Sequence, residues 1–171
     1  MCVRILRNHG EVLGFKNGFS IYDESDKKAL LKRIVKDLKI DEKIYPVSYL
    51  GSVISSCKEA EEDPDDYIEN NSMNFKAETV AKVYARYMED LQQNNAMDFD
   101  DLLWNAVKLF EASSEVLSYY QQRFKYIMVD EYQDTNYLQY KLIHALAEKS
   151  HNLCVVGDDD QCIYQWRGAD I

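Results

Sequence analysis

The chain has 171 residues, 46% of them hydrophobic, with four cysteines and a formal net charge of −10. Such a length and composition suit one globular domain or a small pair. The acidic balance argues against a general nucleic-acid binder, because phosphate contacts need clustered Lys and Arg. The cysteines show no paired spacing, which favours reduced thiols and a cytoplasmic protein. Neither a signal peptide nor a membrane span is expected, because no apolar run is long enough.

The charge is unevenly distributed along the chain. Residues 1–60 carry eleven Lys and Arg against eight Asp and Glu, whereas residues 61–171 carry nine against twenty-two. Any DNA contact made by the helical part is therefore expected in the first third.

Apolar residues recur at helical spacing through most of the first 124 positions. Ser25 and Asp98 are expected helix caps, and Phe75 and Phe99 are expected to face inward. The first clear helix also has a basic face that is either simply solvated or in contact with DNA. Residues Met1 to Asn8 are predicted to be the end of a helix. Helix starts are predicted near Ser25, Pro46, Asp65, Asn74, Asp98 and Ser113 or Ser114, and the last of these helices ends near Phe124.

Strand character begins only at Tyr126. The apolar run Tyr126 to Val129 stops at Asp130 and Glu131, and a second run, Leu153 to Val156, follows a helical stretch from Asn136 to Ala147. This order predicts a βαβ unit with two buried, parallel, neighbouring strands. Strand alternation would place the Asp130 and Glu131 side chains on opposite sides, so that one acid can hold Mg²⁺ while the other orients or deprotonates water.

Two stretches near the C-terminal end resemble a known family. Asp130-Glu-Tyr-Gln-Asp-Thr-Asn136 and Val156-Gly-Asp-Asp-Asp-Gln-Cys-Ile-Tyr-Gln-Trp-Arg-Gly-Ala169 are similar to motifs II and III of superfamily-one DNA helicases of the UvrD/Rep/PcrA type, and most of all to its PcrA members. A weaker similarity extends upstream through Asp98-Phe-Asp-Asp-Leu-Leu103 to the N-terminal residues.

The resemblance implies an α/β fold that is mostly helical. Residues 1–124 would be a helical insertion subdomain (1B-like), and residues 125–171 would be a partial RecA-like motor domain of the P-loop NTPase class, a parallel-sheet segment carrying motifs II and III. The implied function is that of an ATP-dependent DNA helicase in replication and repair, with ATP and Mg²⁺ as cofactors. Its partners would be single-stranded and duplex DNA and the remaining helicase domains, with no membrane.

The resemblance also implies a role for each matching residue. Asp130 would bind Mg²⁺ on ATP, and Glu131 would activate the hydrolytic water. Gln161 would contact the γ-phosphate region, and Arg167 would link the DNA side to the acids of the ATP site. Tyr164 and Trp166 would contact or stack on single-stranded DNA.

The sequence contains no Gly-x-x-x-x-Gly-Lys-[Ser/Thr] loop, so the chain is expected to be an internal helicase segment that is inactive alone. Two other functions stay open. One is a stand-alone DNA-binding or interaction module without ATPase activity. The other is a small metal-dependent hydrolase that uses Asp130, Glu131, Asp134 and Asp158 to Asp160.

Overall fold

A computed structural model describes residues 1–158 and 160 of the chain. It is α/β and mostly helical, with 64% helix and small parallel sheets. The helices in this described part are α1 Cys2–His9, α2 Glu24–Asp37, α3 Val47–Glu59, α4 Pro64–Asn70, α5 Ala77–Gln93, α6 Phe99–Ala112, α7 Ser114–Arg123 and α8 Tyr137–Ala147. The strands are β1 Ser20–Ile21, β2 Ala96–Met97, β3 Ile127–Val129 and β4 Leu153–Val155, and 3-10 turns lie at Gly10–Leu13 and Tyr132–Asp134.

The chain forms two compact units. The continuous unit is Phe15–Leu102, and the discontinuous unit joins Met1–Gly14 to the residues from Leu103 onward. The assignment of residues 1–124 to an insertion subdomain stays a prediction.

The continuous unit is built on an apolar core shared by α2, α3 and α5. These helices present the helical spacing that the sequence predicts, and α4 adds Tyr67 to the same core. Several of the core side chains are almost fully buried, among them Leu31, Ile34, Leu50, Ile54, Val83 and Tyr84.

A short parallel strand pair, which the sequence did not predict, joins the two ends of the continuous unit. Ser20 pairs with Ala96 and Ile21 with Met97. The Tyr22 N–H extends the ladder by donating to the Met97 carbonyl at 2.8 Å. Two residues per strand are too few to produce an alternating pattern, so only the long-range pairing defines these strands.

The caps agree with the sequence at most positions. Asp98 accepts from the Asp101 N–H at 2.8 Å, and Ser113 accepts from the Val116 N–H at 3.3 Å, as predicted. The prediction for Ser25 was wrong. Asp23 is the cap of α2, because its carboxylate accepts from the backbone N–H groups of both Ser25 and Asp26.

The inward orientation of two phenylalanines was also wrong. Phe75 is 83% exposed and Phe99 is 58% exposed. Phe75 precedes the first residue of α5, Ala77, so the helical periodicity does not apply to it. Phe99 is the first residue of α6, where the inward-facing positions nearby are taken by Asp98 and Asp101.

These two aspartates bind a lysine that is fully buried in the continuous unit. Lys58 is 0% exposed, and its Nζ lies 2.8 Å from Asp98 Oδ2 and 2.7 Å from Asp101 Oδ1. The Tyr87 hydroxyl donates to the same Asp98 oxygen at 2.9 Å. Burial raises the pKa of the Tyr87 hydroxyl, which keeps this group a donor. The site therefore places one cation between two carboxylates, with a neutral donor beside them.

The protonation behaviour of the two acids differs. Burial opposes ionisation of Asp98, but the Lys58 ammonium, the Asp101 N–H and the Lys27 ammonium together outweigh it and lower the pKa of Asp98. At Asp101 burial dominates and raises the pKa to about 6. The proximity of the Asp98 carboxylate adds to this increase, because like charges disfavour ionisation.

A second lysine extends this network toward the start of α2. Lys27 Nζ donates to Asp100 Oδ2 at 2.9 Å and to Ser55 Oγ at 2.6 Å, and the Ser55 hydroxyl donates to the same Asp100 oxygen at 2.6 Å. Polar bonds therefore connect α2 and α3 to the first turn of α6.

In the discontinuous unit, helix α8 packs against α7 and presents a buried stripe. Asn136 caps α8 in a reciprocal box with Gln139, and the stripe consists of Leu138, Leu142 and Leu146. The Gln121 side-chain amide of α7 donates to the Ala145 carbonyl at 2.7 Å. The helix predicted between the two strands is thus confirmed.

Strands β3 and β4 are parallel neighbours, as predicted, with Ile127 opposite Leu153 and Val129 opposite Val155. Their predicted burial was wrong for the part of the chain that the structure describes. Met128 is 78% exposed, and all three residues of β4 are exposed. The sheet formed by β3 and β4 has only two strands in the described residues, which is too few to bury its own faces.

None of the helices in residues 1–158 is long and apolar enough to cross a membrane.

Replacing Lys58 by Met tests the buried ion network. We expect the free energy of unfolding of the chain to fall by roughly 3 to 5 kcal/mol, because two buried carboxylates lose their cation. Denaturant titration measures the change. Lys28→Met, the same substitution at an exposed position of α2, is the control and should stay within about 0.5 kcal/mol of the unaltered chain. Equal stabilities for the two variants would contradict a structural role of the network.

Candidate active site

Backbone hydrogen bonds hold together the segments that follow β3 and β4. The Val156 N–H donates to the Val129 carbonyl at 2.8 Å, and the Tyr132 N–H donates to the Val156 carbonyl at 3.0 Å. The ladder therefore continues past the ends of both strands. Because the strands are parallel, the residues after each one meet at the same edge of the sheet, where open α/β sheets bind ligands.

Asp130 and Glu131 lie at this edge and are both exposed. Glu131 has a left-handed backbone, with φ 53° and ψ 44°, and precedes the 3-10 turn Tyr132–Asp134. The Glu131 N–H donates to Asp130 Oδ1 at 3.0 Å. The premise that strand alternation orients the two acids was wrong, because the strand ends at Val129 and Glu131 is not extended. A turn, rather than a pleat, sets the direction of the Glu131 side chain.

A buried amide contacts the Glu131 carboxylate. Gln133 is 4% exposed, and its Nε2 donates to Glu131 Oε2 at 2.6 Å. Its Oε1 accepts from the Asp158 backbone N–H at 3.0 Å. The amide orientation follows from chemistry, because a backbone N–H can only donate and a carboxylate can only accept.

Gly157 allows this close approach of the two segments. A Cβ added at Gly157 would lie 2.8 Å from Gln133 Oε1, 3.3 Å from Tyr132 Cβ and 3.4 Å from the Gln133 backbone nitrogen. Real side chains do not tolerate the first of these distances. An alanine at position 157 would therefore force the Gln133 amide or the 3-10 turn packed against it to shift.

A cavity of about 440 Å³ adjoins the two acids within the discontinuous unit. Its polar lining includes Asp130, Glu131, Asp134 and Thr135, and its apolar lining includes Val129 and Leu142. The Oδ1 atom of Asp134 is buried and has no hydrogen-bond partner among the described residues. Exposed carboxylate oxygens at the mouth and an unpaired one beside them suit a hard cation that brings its own water or phosphate ligands.

No group of three or more His, Cys, Asp or Glu side chains in residues 1–158 and 160 is arranged to hold a metal ion. The acids therefore do not form a cage of the kind that binds a cation by protein ligands alone. Mg²⁺ bound mainly through substrate phosphates needs only one or two carboxylates.

The structure places two of the predicted site residues, Asp130 and Glu131, side by side. The predicted residues Gln161, Tyr164, Trp166 and Arg167 lie outside the described residues. Sequence reasoning missed Gln133 and Gly157. A signal for both was present, because each lies within one of the two motif-like stretches, two residues after Glu131 and one after Val156.

Residues 1–171 match the UvrD/REP helicase N-terminal domain. The chain belongs to this helicase family. The family resemblance inferred from the two motif-like stretches is therefore confirmed.

The curated relatives are bacterial helicases. The chain is 47% identical, over 172 aligned residues, to the ATP-dependent DNA helicase PcrA of Staphylococcus aureus strains Mu50 and NCTC 8325. It is also 47% identical to the PcrA protein of Staphylococcus epidermidis strain RP62A. Each alignment covers 100% of this chain and 23% of the relative. The chain thus spans about a quarter of the length of these relatives.

Replacing Gly157 by Ala tests the close packing at the site edge. We expect the free energy of unfolding to fall by about 1 to 3 kcal/mol, because the new methyl group overlaps Gln133 Oε1. Gly51→Ala in α3 is the matched control. Its Cβ would meet only Leu31 Cδ1 at 3.5 Å, an ordinary contact, so helix propensity should stabilise this variant by up to about 1 kcal/mol. Denaturant unfolding of both variants gives the answer, and an unchanged Gly157→Ala stability would contradict the packing.

Proposed function

We propose that this chain is part of an ATP-dependent DNA helicase that couples Mg-ATP hydrolysis to translocation on single-stranded DNA and to duplex unwinding in replication and repair. The observation that carries the proposal is the pair Asp130 and Glu131 at the edge of the parallel strands, beside the cavity, in a chain of the UvrD/Rep family. The proposed compartment is the cytoplasm.

The proposed chemistry divides the two acids. When bound, Mg-ATP supplies the phosphate to be cleaved and the cation that neutralises its charge. Asp130 would hold the cation through a carboxylate oxygen. Glu131 would accept a proton from the attacking water, and Gln161 would bind at the γ-phosphate. Arg167 would connect these groups to the DNA side.

The DNA side of the proposal rests on aromatic and basic residues. Tyr164 and Trp166 would stack on bases without sequence preference. In the continuous unit, α2 has exposed cationic side chains, including Lys28, Lys32 and Lys36. This basic face supports the alternative function, a DNA-binding module without ATPase activity, which would bind DNA in the absence of ATP.

We further propose that the 171 residues do not hydrolyse ATP by themselves. They contain the acids but no Gly-rich phosphate loop with its lysine. Residues 1–124 would be a helical insertion into the motor domain, of which residues 125–171 would be a part. A continuous unit between two parts of a discontinuous one supports an insertion.

Replacing Glu131 by Gln in the complete helicase tests the catalytic assignment. We expect ATP hydrolysis to slow by at least ~100-fold while Mg-ATP binding stays nearly intact, because the amide cannot take the proton of the water. Steady-state turnover and calorimetric binding of Mg-ATP are the measurements. Glu148→Gln, the same change at an exposed position after α8, is the control. Turnover near that of the unaltered enzyme would make Glu131 a structural acid.

Replacing Trp166 by Ala in the complete helicase tests the stacking assignment. We expect single-strand affinity to fall by ~1 to 3 kcal/mol, with little change in ATP hydrolysis without DNA. Fluorescence anisotropy with labelled DNA measures the affinity. Trp104→Ala provides the comparison for a core residue, because Trp104 is buried and its loss should cost about 3 to 5 kcal/mol of stability. A Trp166 variant that loses stability but keeps its DNA affinity would contradict stacking.

A further inference from the structure

We infer that Gln133 is a positioning residue of the hydrolytic site, which orients the Glu131 carboxylate and ties it to the backbone of the segment after β4. The inference rests on the proposed function, since it takes Glu131 as the group that acts on water. It assigns to Gln133 no contact with the nucleotide.

The geometry shows one amide with two dissimilar partners. Nε2 donates to Glu131 Oε2 at 2.6 Å, and Oε1 accepts from the Asp158 N–H at 3.0 Å. The Gln133 side chain is almost fully excluded from solvent. A buried amide that lost one partner would leave a polar group unsatisfied, so both bonds are held strongly.

The bond from Gln133 restrains the Glu131 side chain, which the backbone leaves free to move. Glu131 is exposed and lies immediately before the 3-10 turn, outside β3, so no neighbouring strand in the described part of the chain holds its side chain. A flexible carboxylate is a poor base, because catalysis requires it to be aligned with the water before the reaction. The short bond to Oε2 fixes one oxygen, and the other oxygen of the same carboxylate is then directed by the plane of the group.

The bond to Asp158 couples this orientation to a second segment. Asp158 follows Gly157, whose missing side chain makes room for the Gln133 amide. The Val156 carbonyl accepts from the Tyr132 N–H one residue before Gln133. Asp158 also lies three positions before Gln161 in the sequence. A displacement of the Asp158 backbone would therefore strain the amide that orients Glu131.

Only an amide serves both partners at this position. A glutamate at 133 has the same shape and would still accept from the Asp158 N–H, but it would repel the Glu131 carboxylate. A methionine of similar length would satisfy neither partner. The two substitutions therefore separate the bond to Glu131 from the bond to Asp158.

The experiment compares Gln133→Glu and Gln133→Met in the complete helicase. For both variants we expect kcat for DNA-stimulated ATP hydrolysis to fall about 10- to 100-fold with the KM for ATP nearly unchanged, because the acid is misplaced while the nucleotide contacts remain. Hydrogen exchange at the Asp158 amide, measured without nucleotide, should accelerate at least about tenfold in Gln133→Met and stay slow in Gln133→Glu. Gln122→Glu, the same change on the exposed surface of α7, should alter neither readout.

The outcomes separate this inference from the proposed function. If Glu131→Gln does not slow hydrolysis, the proposed role of Glu131 fails, and the inference fails with it. If Glu131→Gln slows hydrolysis while both Gln133 variants keep the unaltered kcat, only the inference is overturned. The inference is also overturned if both variants lose kcat only in proportion to a loss of thermal stability, and if the Asp158 amide of Gln133→Met still exchanges slowly. Should a Gln133 variant not fold, Gly157→Ala displaces the same amide sterically and must lower kcat without altering the KM for ATP.

Discussion

The ammonium group of Lys58, held between the carboxylates of Asp98 and Asp101, is the interaction on which the continuous unit depends. A buried ion pair contributes little net stability, because the cost of removing both charges from water offsets their attraction. The network joins α3, α5 and the start of α6, because Lys58, Tyr87 and the two acids meet there. Removing one partner alone would leave an uncompensated charge in the interior, so the packing of these helices depends on all of the charged partners being present.

In the candidate active site, too, a buried polar side chain holds a carboxylate in place. A short apolar strand brings Asp130 to an edge, but the direction of the Glu131 carboxylate is set by a turn and by a buried amide. The exposed strands nearby are a further consequence of building a sheet edge from only two short strands. The chain belongs to the UvrD/REP helicase family, and the geometry shows which contacts hold the Glu131 carboxylate at this edge.

Much of this architecture could be predicted from the sequence, because helical periodicity and capping residues are local signals. The helix α8, the parallel pair β3 and β4, and the cap at Asp98 followed from such signals. Features that depend on distant partners could not. One such feature is the pairing of β1 with β2, and another is the burial of Lys58 against acids about forty positions later. The two bonds of Gln133 likewise link it to Glu131 across a turn and to the distant Asp158. Asp23 and Ser25 can both cap a helix chemically, and the sequence does not show at which of them the helix begins. In the structure α2 begins at Glu24, so Asp23 is the cap.

The parallel pair of β1 and β2 has a consequence for biosynthesis. It places the entry and the exit of the continuous unit on adjacent strands, with Ser20 opposite Ala96. A segment whose ends are neighbours can be inserted into a host chain without separating the host residues on either side. Because Phe15–Leu102 is uninterrupted, all of this unit is synthesised before the residues from Leu103 onward. Vectorial synthesis would thus allow the continuous unit to fold first, whereas Met1–Gly14 can pack with its own unit only after the residues from Leu103 onward have been made.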